Sequence, residues 1–152
     1  MNLVGCTLLI ALVLAASSCK PAGPSVGDEL FVRLDIGGFA PTTLMVSEEG
    51  TVSYNHSDRF TREENVSRIL VAADEILELK AIIIEGDFFS LEHEYTERLV
   101  TDAVPYKVSV TLGNASHAIF CANRLACPPA AMATINGVKD LWPERIVERG
   151  FG

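Results

Sequence analysis

The chain has 152 residues, 49% of them hydrophobic, and sets 12 lysine and arginine side chains against 20 aspartates and glutamates, for a formal net charge of -8. That length suits one domain burying roughly two thirds of its unfolded surface, so a real core requires neither a metal nor a second domain. An acidic chain without clusters of Lys and Arg lacks the electrostatic footprint of a nucleic-acid binder, and anionic lipid head groups would repel it.

The hydrophobic residues are unevenly spread. An apolar run from Leu3 to Ala16 stops at Ser17-Ser18-Cys19 and gives way to Lys20-Pro21-Ala22-Gly23-Pro24. It is shorter than the roughly 17 to 25 residues of a spanning helix and fits the core of a secretory signal peptide, although Met1-Asn2 carries no basic side chain. Ala16-Ser17-Ser18-Cys19, small residues followed directly by cysteine, resembles the lipobox of prokaryotic lipoproteins. The resemblance implies a signal peptide over residues 1–18, cleavage before Cys19, a diacylglyceryl thioether on its sulfur and acylation, as with palmitate, of its new amino group. Each buried methylene adds about 0.8 kcal/mol, so two or more chains anchor stably where one is marginal. The domain would then be tethered to the cell membrane or outer membrane on the extracytoplasmic side, its membrane contact coming from the lipid. Lys20 after the cysteine, in place of the aspartate that retains many lipoproteins, favours the outer membrane where there is one.

Residues 19–28 are rich in Pro, Gly and Ser without apolar periodicity, and read as the lipidated cysteine and a flexible tether. A single domain is expected over residues 29–145, with 146–152 as a tail. Phe31-Val32-Arg33-Leu34-Asp35-Ile36 alternates apolar with charged, a strand with one wet face, and Gly37-Gly38 breaks it. Residues 42–47 and 51–55 read as two further strands around a hairpin at Glu48-Glu49-Gly50. Residues 55–65 read as a polar loop, and Arg68-Ile69-Leu70-Val71 as a fourth strand. From Ala73 the spacing turns helical, with Ile76, Leu77, Leu79, Ile83 and Ile84 apolar, acidic residues in the first turn and Gly86 as the stop. Phe88 and Phe89 follow as plugs at the core edge, and residues 92–105 as a polar loop. Residues 106–112 form the clearest strand, which Gly113-Asn114 turns into a partner over 117–121. Pro128-Pro129 opens a closing helix with Ala131, Ile135, Val138 and Trp142 on one face, Gly137 weakening it and Pro143 ending it. No β-α-β rhythm is visible. The expected fold is therefore α+β, an antiparallel sheet of four to six strands with two helices packed on one face.

Of four cysteines, Cys6 leaves with the signal and Cys19 is lipidated, which leaves Cys121 and Cys127. In an oxidising compartment such a pair most simply forms a disulfide; two free thiols are the alternative, and a zinc site is disfavoured by the wide spacing and the absence of a nearby His.

Gly37-Gly38-Phe39-Ala40 after the first strand, Asp87-Phe88-Phe89-Ser90-Leu91 after the helix, Asp102 before Tyr106-x-Val108-x-Val110, and a last helix led by Pro128 resemble a family of small prokaryotic domains that includes the emfourin-type inhibitors of thermolysin-like metalloproteases. Related lipoprotein domains of that family carry no assigned function. The resemblance covers most of residues 29–142 and implies an inhibitory or protein-binding role. The export signal and the Cys121/Cys127 pair depart from the inhibitors.

Catalytic signatures are thin: there is no Gly-x-Ser-x-Gly, no His-Glu-x-x-His and no phosphate-cradling glycine loop. The best polar cluster is Glu92-His93-Glu94-Tyr95 with Glu97 and Asp102, which would serve a small hydrolase but reads more simply as a solvated loop, while His56 and His117 read as structural. Asn55, Asn65 and Asn114 begin Asn-x-Ser sequons at expected turns or loops, acceptors only in a host that glycosylates. The expectation is thus a binding module without enzymatic activity or cofactor, using Gly37, Gly38, Phe39, Ala40 and Pro41 against an envelope or extracellular protein, a metalloprotease among the candidates. A passive envelope lipoprotein is the alternative.

Overall fold

A computed structural model describes residues 23–38, 41–57, 64–96 and 103–142. The signal segment, Cys19, Phe39, Ala40, Glu97, Asp102 and Pro143 lie outside the described residues.

Alternating residues make the strands. In β1 (Leu30–Ile36), Leu30, Val32, Leu34 and Ile36 are at most 2% exposed while Phe31 and Arg33 face solvent. β2 (Thr42–Ser47) and β3 (Thr51–Ser57) follow as a meander, and β4 (Glu64–Leu70) closes that side. A helix, α1 (Ala73–Glu85), and a single 3-10 turn (Phe88–Ser90) lead to a two-residue strand, β5 (Glu94–Tyr95). The hairpin of β6 (Tyr106–Leu112) and β7 (Ala115–Cys121) precedes α2 (Pro129–Asp140). The sheet runs β4-β3-β2-β1-β6-β7-β5, antiparallel except for β5 against β7. This is an α+β fold with seven strands in place of the four to six expected.

One face of the sheet is dry and the other is wet, as the alternation requires. Ile76, Leu79 and Ile83 of α1 and Ala131, Ile135 and Val138 of α2 join the strand residues in one core. The helices lie so close that a Cβ on Gly137 would come within 3.1 Å of Leu79 Cδ1 and 3.3 Å of Ile82 Cδ1. Gly137 therefore does more than weaken its helix: it lets α1 approach.

Several local expectations are corrected by packing. Gly86 ends α1 in right-handed geometry, and it is Asp87 that takes the left-handed conformation, at φ 49°. Leu77, counted in the apolar stripe, is 49% exposed, whereas Lys80 is 2% exposed. β3 and β4 extend into the expected 55–65 loop, so Asn55 and Asn65 sit in strands and Asn114 alone of the three sequons occupies a turn. The expected 92–105 loop contributes β5, and Trp142 packs just beyond α2.

Cys121 and Cys127 form the disulfide, their Cα atoms 5.3 Å apart. Inside the loop, Asn123 Oδ1 accepts from the Leu125 and Ala126 N–H groups at 2.8 and 2.9 Å, so the connection is a hydrogen-bonded turn before it is a covalent one. Reduction is expected to cost roughly 2 kcal/mol, lowering the melting temperature while the β-sheet circular dichroism persists at 25 °C. Two alkylatable thiols in the oxidised protein would contradict the bridge.

Candidate functional site

Strand direction sorts the connections into two ends. The incoming segment before Leu30, the β2–β3 turn, the residues after Leu70 and the Gly113-Asn114 turn lie at one end. The β1–β2 loop, the residues before Tyr106 and the disulfide loop after Cys121 lie at the other.

At the first end the expected tether gives way to structure by Ser25. Asp28 accepts from the Ser25 N–H at 2.7 Å through Oδ2 and returns its own N–H to the Ser25 carbonyl, while the Glu29 carbonyl accepts from Gly113 N–H at 2.9 Å. Lys80 Nζ reaches across to donate to the Val26 carbonyl at 3.1 Å and to Glu48 at 2.9 Å (Oε1) and 2.8 Å (Oε2). Glu48 also accepts from the Leu30 N–H at 2.9 Å. The Lys80 hydrogen bond holds the Glu48 carboxyl below its ordinary range; burial opposes it, and the Leu30 N–H and the Lys80 charge reinforce it. One ammonium thus ties the incoming segment, the β2–β3 turn and α1 together. The spacing of the helix did carry a signal, since position 80 falls beside 76, 79 and 83; the residue type obscured it.

At the far end the β1–β2 loop holds the candidate binding residues. Gly37 donates its N–H to the Pro105 carbonyl at 2.8 Å, and a Cβ there would stand 2.5 Å from Pro105 Cγ, so only glycine allows the approach. Gly38 has φ +125°, and nothing lies within 4 Å of the place its Cβ would take. Pro41 is exposed, and its carbonyl accepts from Ser57 N–H at 3.4 Å. Gly37 is therefore demanded by the approach of the Pro105 ring and Gly38 by its backbone angle, and Gly38 is exposed.

Two residues upstream, Asp35 accepts from Arg33 Nε at 3.1 and 3.0 Å and from the Thr43 hydroxyl at 2.7 Å. Burial pushes its carboxyl upward, but these hydrogen bonds, with the charges of Arg33 and Lys107, outweigh it and hold Asp35 below the usual range. The disulfide loop adds Leu125, 65% exposed, to the same end. Sequence reading had no signal for that neighbour.

The Glu92-to-Tyr95 cluster is taken up in building the sheet edge. The His93 carbonyl accepts from Phe120 N–H at 2.8 Å, the Tyr95 carbonyl from Ala122 N–H at 2.9 Å, and the Tyr95 hydroxyl from Glu92 N–H at 2.8 Å. His93 Nδ1 stands 3.1 Å from the Ala118 carbonyl, and its ring lies 4.6 Å from that of His117, which also meets Phe88 edge-on at 5.8 Å. Glu97 and Asp102 lie outside the described residues. Among the described residues no three His, Cys, Asp or Glu side chains gather as a metal-binding group, and no helix is long and apolar enough to cross a membrane.

Compared with known proteins, the chain matches no family model and no curated protein.

Proposed function

We propose that this chain is a lipid-anchored extracytoplasmic binding module, held by Cys19 and presenting Gly37, Gly38, Phe39, Ala40 and Pro41 to an envelope or extracellular protein. Inhibition of a thermolysin-like metalloprotease is the narrower form of the same reading. The observation that supports it is the opposition of the two ends: the incoming segment joins at the start of β1, and the exposed Gly38 follows the end of β1, a seven-residue strand away. At roughly 3.3 Å per residue the loop stands on the order of 20 Å beyond the point of attachment. Asp28, Glu29 and Glu49 lie at the attached end beside the paired Glu48 and Lys80, and their charge would keep the domain off an anionic bilayer and leave the loop facing outward.

Two measurements test the two halves of the reading. Cys19→Ala should abolish acyl labelling and move the protein from the detergent phase to the aqueous phase; persistence in the detergent phase would remove the anchor. Phe39→Ala should weaken inhibition of a thermolysin-like protease, or capture of the partner identified by mass spectrometry, about tenfold with the melting temperature unchanged. A large fall in melting temperature would instead assign Phe39 to packing and leave the loop without a binding role.

A further inference from the structure

The two edges of the sheet are finished differently. On one side the two-residue β5 covers Phe120 and Cys121 at the end of β7, and the His93 ring lies against the Ala118 carbonyl beside it. On the other side β4 runs seven residues, paired to β3 without interruption from Thr51↔Leu70 to Ser57↔Glu64. It contains no proline and no bulge, and Arg68 is the charged side chain between its apolar residues. Among the described residues nothing pairs with its outer side.

β4 also extends past the helical layer. Asn65 and Ser67, on the side that should face the core, are exposed, and Ile69 alone packs against it. On the opposite, uncovered face the register aligns Val66, Arg68 and Leu70 with Asn55, Ser53 and Thr51. Val66 is 54% exposed and Leu70 79%, with the exposed Arg68 between them. The row reads apolar, cationic, apolar, on a chain whose overall charge is -8.

We infer that β4 is a docking edge for an extended segment of another protein, which adds as an eighth strand and sets alternate apolar, acidic, apolar side chains against Val66, Arg68 and Leu70. The outward backbone groups, without a strand partner among the described residues, specify a strand, because only a strand satisfies a ladder of them in sequence. The row of side chains specifies the pattern, because residues directly opposite share a face and opposite charges there attract. This surface lies on a different strand from the Gly37-to-Pro41 loop and does not depend on Cys19, so it stands or falls separately from the anchored-module reading.

The test is an amide chemical-shift titration of the isotopically labelled protein with the end-blocked synthetic peptide Thr-Val-Thr-Glu-Thr-Val-Thr. Shifts centred on residues 64–70 and β3 are expected. Arg68→Glu should weaken binding roughly fivefold, and replacing the peptide's glutamate by lysine should restore it to that variant. Four outcomes overturn the inference: no shifts; shifts confined to other strands; slow hydrogen exchange throughout β4 in the free protein, showing the edge already occupied; or concentration-dependent dimerisation through β4, showing a second copy to be its occupant.

Discussion

Trp142→Ala is expected to lower stability by about 3 to 5 kcal/mol, in the range of large aromatic truncations in packed cores. Trp142 is 2% exposed although it lies past the end of α2, and its ring stacks on Tyr54 at 5.2 Å between centroids and 19° between planes. Tyr54 is itself 4% exposed and belongs to β3, so this one contact fastens the chain after the last helix to the sheet. Trp142 Nε1 is buried with no hydrogen-bond partner among the described residues, so its contribution comes from packing area. Trp142→Phe, which keeps an aromatic ring and forfeits no hydrogen bond, should lose less than half as much. Since this is the chain's single tryptophan, unfolding is followed by circular dichroism in denaturant. A midpoint for Trp142→Ala equal to that of the unsubstituted protein would show the stack to be incidental.

Glu48→Ala should cost about 2 to 3 kcal/mol above pH 6. The variant leaves the Lys80 ammonium, 2% exposed, with the Val26 carbonyl as its remaining acceptor. Removing one member of a fully buried pair costs about 3 to 5 kcal/mol; the Glu48 side chain is 40% exposed, so water screens the pair and the lower figure applies. The sign with pH follows from the carboxyl. Its folded value is depressed, so its contribution is complete above the unfolded value of about 4.5 and is lost as pH falls through the lower folded value. The two proteins should therefore converge in stability at acid pH. A difference that stays constant from pH 7 down through the acid range would assign the loss to packing and not to charge.

The strands β1 and β6 were legible because each has one wet face, and a period of two is what a half-buried strand must show. β4 was legible only at its end, Arg68 to Leu70: residues 65–68 are exposed on both sides, so no burial imposes alternation there. β5 could not be read, because Glu94 and Tyr95 become a strand only through the N–H groups of Phe120 on β7 and of Ala122 just past its end. The candidate site was legible in its glycines, which announce a break in β1. The reason each must be glycine was not, since one depends on Pro105, far along the chain, and the other on a backbone angle.

What the sequence determined by itself is whatever rests on near neighbours: the order of the helices and of the strands other than β5, the face that β1 and β6 present to the core, and a Cys121/Cys127 pair short enough to close on its own. The tertiary structure alone decided what depends on residues distant in sequence. It set β1 at the centre and β4 at an open edge, exposed Leu77 while burying Lys80, and made Gly137 the point of contact between helices. Local periodicity can assign a side chain to a face. Which neighbours cover that face, and whether a buried charge finds its partner there, is decided when remote segments pack together.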